Sequence, residues 1–437
     1  MGTRPIIRDS AIMTKRLYYD SSEINEFDSV VEDAAPTSSE PSRPAIILRE
    51  TAFYPTSGGQ VHDTGWLTIT ANDQDGQRLR VSEVADTEDG RIVHYLEAPL
   101  KMPAKGTAVH GIIDRERRQD HMQQHTGQHV LSAAFLRLYQ MPTVSFHMGE
   151  DYCSIDLATA SVAANQIVEA EKRANQIIFE NRPVCVRYVS RAEAEKLGLR
   201  KLPPAERDEL RLIEVADFDL SACGGTHVTA SGQIGSIILR KTEKVRQGTR
   251  VEFVCGQRAV RMARRDYSAL TEAAGLFSAQ LWDVPEQIRK SVDESKLFRK
   301  QKDEALDELA GLMAAADLQS QPETNGRKIV VRTFSDRDMG FAKLYAQKVT
   351  RTGMPATALV ASTLDPPGLV FAQTSAKTAA QDSVPAPADM GALLKQVLSS
   401  IGGRGGGSRD FAQGGVPAGS NADVEQLLRQ TAVTIGA

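Results

Sequence analysis

Two short fragments restrict what this chain can fold into before any element is assigned. The first is HTGQH, His125 to His129, inside the stretch HTGQHVLSAAF; the second is CGGTH, Cys223 to His227, about a hundred residues further on. In each, two metal-capable side chains stand four positions apart. On a helix, residues i and i+4 share one face. Buried imidazoles need hydrogen-bond partners, so a core does not hold two of them idly. One thiolate and three imidazoles make a donor set that suits zinc. If all four meet at one ion, a helix and a glycine-rich turn from distant parts of the chain must pack together. Alone, each fragment reads equally as satisfied core or surface. Together they point to one zinc ion per chain, held by His125, His129, Cys223 and His227. No glutamate follows His125, so the metalloprotease form of the helical motif is absent. Four protein ligands would complete a structural tetrahedron; catalysis needs a loose ligand or a fifth position. Both readings stand at this level.

The flanking sequence supplies the elements. From about Leu17 to Asp114 the pattern is strand-like: RPAIILRE is a short apolar run, and GWLTIT and RLRVSEV alternate. NDQDGQ and EDG read as hairpin turns, and Ala34 to Ser42 as a loop, which together suggest a small β-barrel. Helical periodicity follows at Arg115–Tyr139 and Ala163–Asn181, among the strands TVSFHMGEDYCSIDLA, PVCVRYVS, LRLIEVAD, GSIILRK and TRVEFVCG. That mixture predicts α+β, with helices on a mainly antiparallel sheet. Ala259–Ala274 and Pro285–Ala315 are charge-laced and predict a solvated antiparallel helix pair, with LQSQPETNGR as a linker after it. Beyond it, KIVVRTF, MGFAKLYAQKVT, ATALVAST, LVFAQT and MGALLKQVLSS alternate as strand and helix. The expected fold class is therefore α+β. It comprises an N-terminal barrel (13–114), a zinc-containing domain (115–256), a helical pair (257–320) and a small α/β domain (321–437) with the Gly-rich run GGRGGGSRDFAQGG.

Charge gives no global argument for a nucleic-acid partner: 52 Lys and Arg stand against 56 Asp and Glu, a net charge of −4. Local clusters carry that possibility instead, in DRERR, RKTEKVRQGTR and RAVRMARR. Four cysteines in a chain of 437 residues do not make a disulfide framework. No apolar run approaches the roughly 18 residues of a membrane helix. MGTRPIIRDSAIM lacks the apolar core of a signal peptide. Residues 1–12 are expected to be an extension, and the protein cytoplasmic, with no membrane partner.

FYPTSGGQVHDTG (Phe53 to Gly65), HTGQH, CGGTH and GGRGGGSRDFAQGG, in that order and spacing, resemble the editing half of alanyl-tRNA synthetase, in the long form of the AlaX group of trans-editing proteins. The synthetase's aminoacylation domain has no counterpart upstream of the barrel. The resemblance implies a hydrolase that deacylates tRNA(Ala) mischarged with serine or glycine and does not charge it. The physics agrees: an alanine pocket rejects glycine or serine only about 10- to 200-fold, whereas a second site that hydrogen-bonds the serine hydroxyl can do far better. Thr56, Ser57, Gly58, Gly59 and Gln60 on the glycine loop, with Thr126 between the histidines, are the substrate candidates. The motifs hold no Ser-His-Asp set or paired carboxylates, which favours water as nucleophile. Zinc either lowers that water's pKa or holds the amino acid and terminal ribose in place. Arg240, Lys241 and Arg246 are expected on tRNA phosphates. By resemblance the C-terminal domain docks on the tRNA elbow. Arg404, where the family often has lysine, sits there among amides able to form an anion nest. The helix pair and C-terminal region hint at a homodimer. The competing reading is a catalytically silent tRNA- or partner-binding protein with a structural zinc. A phosphoesterase, suggested by the glycine run, lacks the carboxylate-rich metal motif that its chemistry needs.

Overall fold

The computed structural model describes residues 13–34, 43–70, 76–97, 101–197, 199, 209–246, 248–375, 388–417 and 423–436. The expected extension over 1–12, nearly all of the loop at 34–42 and most of the turn at 72–77 lie outside them. Six antiparallel strands close the N-terminal barrel: β1 Glu26–Asp33, β2 Ala45–Leu48, β3 Gly65–Ile69, β4 Arg78–Asp86, β5 Ile92–Leu96 and β6 Ala108–Ile113. They run in the order β1-β2-β5-β4-β3-β6, with β6 pairing back to β1. Period-two alternation sends Val31, Ile46, Leu67, Leu79 and Val109 inward, all nearly or fully buried. His94 on β5 joins them, its ring 2.8 Å from Thr51 Oγ1, and burial pushes its pKa down to about 4.

The chain leaves the barrel at Asp114, whose side chain caps helix α1, Arg115–Tyr139, by accepting from the amide of Arg117. Arg118, 1% exposed, reaches back into the barrel region. Its guanidinium lies on the Asp63 carboxylate and donates to the carbonyl of Ser22 at 2.8 Å. Every residue of α1 from His121 to Phe135 is buried, polar ones included. Each face therefore has its own partner. Val130, Leu131 and Phe135 enter the main core with Ile155, Ile177 and Phe253, each contributing about 1.5–3 kcal/mol by burial. Gln124 instead acts as a strand partner, giving Nε2 to the carbonyl of Cys255 and taking the amide of Cys255 on Oε1.

Two sheets, rather than the single expected one, surround this helix. One orders β12 (Ile237–Val245), β13 (Gly248–Cys255), β8 (Cys153–Leu157) and β7 (Thr143–Met148). The other orders β9 (Val184–Ser190), β10 (Glu209–Val215) and β11 (Asp219–Ala222). Helix α2, Ala164–Phe179, packs on α1 with Ala170, Ala174, Ile177 and Ile178. A one-turn helix α3, Arg191–Lys196, follows β9.

The structure divides into two units, Met1–Glu272 and Ala273–Ala437. Helix α4 covers Gly256–Phe277, and α5 runs Val284–Ser320. The second unit has a six-stranded mixed sheet with helices on both faces. Its strands include β14 (Arg327–Phe334), β15 (Ala356–Ser362), β16 (Gly368–Gln373), β17 (Arg404–Gly407) and β18 (Phe411–Gly415). Helix α6 (Met339–Thr350) and the end of α5 cover one face; α7 (Met390–Ser400) and α8 (Val424–Gly436) cover the other. The linker expected at 318–327 is ordered structure. Leu318 is buried against Val330, so α5 continues to Ser320, and Asn325-Gly326 closes a two-residue hairpin between 323–324 and β14. The Gly-rich run folds as a hairpin at the sheet edge, β17 paired with β18. Among the described residues no helix is long and apolar enough to cross a membrane.

Candidate metal centre

Helix α1 and the loop after β11 bring the two fragments together. One ligand atom each from His125, His129, Cys223 and His227 lies within 4.8 Å of the others. The Nε2 atoms of His125 and His227 are both 3.4 Å from Cys223 Sγ. Bonds of about 2.3 Å to sulfur and 2.0–2.1 Å to nitrogen set S and N about 3.5 Å apart in a tetrahedron, so these two separations match those of a metal site. The loop fits because residue 225 is glycine: a Cβ there would fall 2.1 Å from His125 Cε1.

Each imidazole is held from behind, through Nδ1. His125 Nδ1 donates to Gln60 Oε1 at 2.6 Å, and His129 Nδ1 donates to Asp219 Oδ2 at 3.1 Å. His227 Nδ1 lies 3.2 Å from Thr126 Oγ1. Such partners fix ring orientation and leave Nε2 for the centre. Gln60 is itself fixed, with Nε2 on Thr226 Oγ1 and Oε1 accepting the Thr226 amide. Burial opposes a charged sulfur, but the imidazoles of His125 and His227 hold the Cys223 thiol well below its ordinary range. Burial likewise opposes a charged His129, yet the Asp219 hydrogen bond and the Cys223 sulfur push it up to about 9. His227 is pushed down to about 3, by burial first.

A cleft of about 370 Å³ opens over the cluster, lined by Ser57, Gly58, Gln128, Phe146, Ser221 and Gly224 among others. Phe146 stacks on His125 with ring centroids 5.5 Å apart. Of the six substrate candidates, Ser57 and Gly58 line this cleft. Gly59 lies beneath it at φ +85, where a Cβ would meet the Phe146 carbonyl at 2.6 Å. Thr56 bonds His62 Nδ1 at 3.0 Å. Gln60 and Thr126 are fully buried behind the histidines. Among the cations, Arg240 pairs with Asp266 and Lys241 with Glu243, while Arg246 and Arg404 are exposed. Arg258, from the third basic cluster, is buried against Asp120, which removes it from any phosphate surface. Sequence reasoning passed over Asp219, although a carboxylate four residues before Cys223 was a visible signal. It also passed over Gln128 and Phe146, whose places in the cleft lining depend on which side of α1 and β7 faces it.

Residues 7–117 match the family model described as tRNA synthetases class II (A), and residues 210–251 match that of the threonyl and alanyl tRNA synthetase second additional domain. Each match covers a part of the chain. The chain is 30% identical over 415 residues to an alanine–tRNA ligase of Pyrococcus furiosus, covering 92% of this chain and 42% of the ligase. It is 29% identical over 411 residues to the alanyl-tRNA editing protein AlaX-L of Pyrococcus horikoshii, covering 93% of this chain and 95% of that protein. Along nearly its whole length the chain is similar to the long AlaX form of the alanyl-tRNA synthetase editing-domain family. It spans less than half the length of the ligases it matches. The C-Ala domain of Aquifex aeolicus alanyl-tRNA synthetase aligns with 27% of this chain and 99% of that domain at 14% identity, with a TM-score of 0.22, which supports no inference.

Proposed function

We propose that the chain is a zinc-assisted trans-editing hydrolase that deacylates mischarged tRNA(Ala), with Ser-tRNA(Ala) as first substrate and Gly-tRNA(Ala) as second. The observation that carries this reading is the position of the His125, His129, Cys223 and His227 cluster at the floor of an open cleft. The near-complete span of a relative named as an editing protein supports it. When bound there, zinc supplies Lewis acidity toward an ester and water. The chain's own groups do the rest. Gln60, Asp219 and Thr126 orient the three rings, and Ser57 and Gly58 form the rim that meets the aminoacyl end. Gly59 lets the rim approach β7, and Thr56 fixes the loop through His62. The Ser221 hydroxyl donates to Asp219 rather than to an imidazole, which argues against an activated serine and for water as the nucleophile.

In this reading residues 13–114 and 115–256 form the editing half, 257–320 a helical connection and 321–437 the tRNA-affinity domain. Arg240, Lys241, Arg246 and Arg404 contact phosphate. The ion pairs on Arg240 and Lys241 are no obstacle, because surface pairs contribute only about 0–1 kcal/mol and yield to phosphate. A homodimer through the C-terminal region and a cytoplasmic setting complete the proposal. Purified chain incubated with preformed Ser-tRNA(Ala) under single-turnover conditions tests it. Release of free serine supports an enzyme, and an intact ester on bound tRNA means a silent binder with a structural metal.

A further inference from the structure

Apart from Ser57 on the exposed rim, the hydroxyls that line the cleft are committed to protein partners. Thr143 Oγ1 bonds Ser132 Oγ at 2.7 Å, Ser145 Oγ bonds Asp156 at 2.7 Å, and Ser221 Oγ bonds Asp219 at 2.9 Å. Gln128 differs. It stands on α1 directly before His129, is 8% exposed, and lines the cleft. Its Nε2 donates to Ser132 Oγ at 2.8 Å, and that hydroxyl is also held by Thr143. The amide therefore cannot turn over freely. Its Oε1 has no hydrogen bond among the described residues and is not sealed from the cleft. It is a rigid, neutral acceptor beside the metal cluster.

We infer that Gln128 is the specificity residue that accepts the side-chain hydroxyl of a seryl ester bound in this cleft. The inference rests on the editing reading above. An ammonium group calls for a carboxylate, whereas a locked neutral carbonyl suits a neutral O–H donor. Seryl esters replace the water on Oε1 with a hydrogen bond. Alanyl esters press a methyl group against it and strand the acceptor, so correctly charged tRNA is spared. Glycyl esters leave room for water and depend on Gln128 little.

The test compares single-turnover hydrolysis of Ser-, Gly- and Ala-tRNA(Ala) by the full chain, by Gln128→Met and by Gln128→Glu, with bound zinc measured in each. Methionine keeps the length and removes the acceptor. Gln128→Met should lower seryl hydrolysis roughly 10- to 100-fold, keep its zinc, and leave glycyl hydrolysis within about twofold. Gln128→Glu keeps an acceptor and should keep the preference for serine over alanine. Equal loss on seryl and glycyl esters, no loss on either, or loss of zinc from Gln128→Met would overturn the assignment. If the unaltered, zinc-loaded chain cleaves none of the three esters, the editing reading itself fails and takes this inference with it.

Discussion

At Gly225 the loop crosses the His125 ring with no space for a methyl group, and the hydrogen bonds behind the metal ligands are equally specific. Asp219 is 7% exposed and serves both His129 and Ser221, so the carboxylate sets one ring and one rim hydroxyl. Asp219→Asn and Gln60→Leu should each weaken zinc binding about 10- to 100-fold, the usual cost of removing a ligand's outer partner. Competition with a chromophoric chelator measures this, and unchanged affinity in both would refute the orienting role. Cys223→Ala should lose the metal altogether under the same competition. That these four side chains could meet was legible from spacing, because two four-residue separations survive any folding of the chain between them. The outer partners were not. Gln60 lies 65 positions from His125, and its role exists only once barrel loop and helix meet.

Elements were easiest to read where periodicity was strong. The expected Arg115–Tyr139, Met339–Thr350 and Met390–Ser400 helices appear with the same ends. Periodicity misleads about α1 in one respect, since its polar positions are buried rather than solvated, with Gln124 bonded to Cys255 and Gln128 to Ser132. The hairpin at Asn325-Gly326 was missed although Asn-Gly is a strong turn signal, because the surrounding residues look like a linker. The Arg118–Asp63 pair joins barrel region and helix in full burial. Asp63→Ala strands a buried guanidinium and should cost about 3–5 kcal/mol in urea unfolding of the first unit. A loss under 1 kcal/mol would show that the junction holds by packing alone. His94 makes the barrel acid-sensitive. Its folded pKa of about 4 lies below the unfolded value of about 6.5, so the unfolded chain binds more protons between those limits. Stability should therefore fall as pH drops from about 6.5 to 4, by up to about 3 kcal/mol from this group, and its contribution should level off below that. Denaturant midpoints of the unaltered chain and His94→Gln across that range check the sign. The variant should show a shallower dependence.

At the scale of the molecule, two units with separate cores invite a division of labour. A truncation after Phe277, at the end of α4, keeps the barrel, the metal cluster and the cleft, and loses Arg404. Phosphate contacts dominate nucleic-acid affinity and its salt dependence. The truncated chain should bind tRNA more weakly with a shallower salt slope, yet still cleave Ser-tRNA(Ala) when enzyme is in excess. Arg404→Ala in the full chain should shift affinity the same way by about 1 kcal/mol. Filter binding at two salt concentrations reads both, and tight binding by the truncation would assign the second unit another task. The change in composition after Gln257 falls at the start of α4, whereas the two units divide later in that helix, between Glu272 and Ala273. The glycine run was harder to place, because strand pairing uses backbone groups that composition does not reveal. The central claim is that the four-ligand cluster and its cleft hydrolyse the ester. Stepwise return of zinc to metal-free full-length protein, with serine release from Ser-tRNA(Ala) followed at each step, tests it most directly. The account predicts that release rises with zinc, saturates at one ion per chain, and stays absent in Cys223→Ala. Full activity in the metal-free protein, or an intact ester once the site is filled, would contradict it.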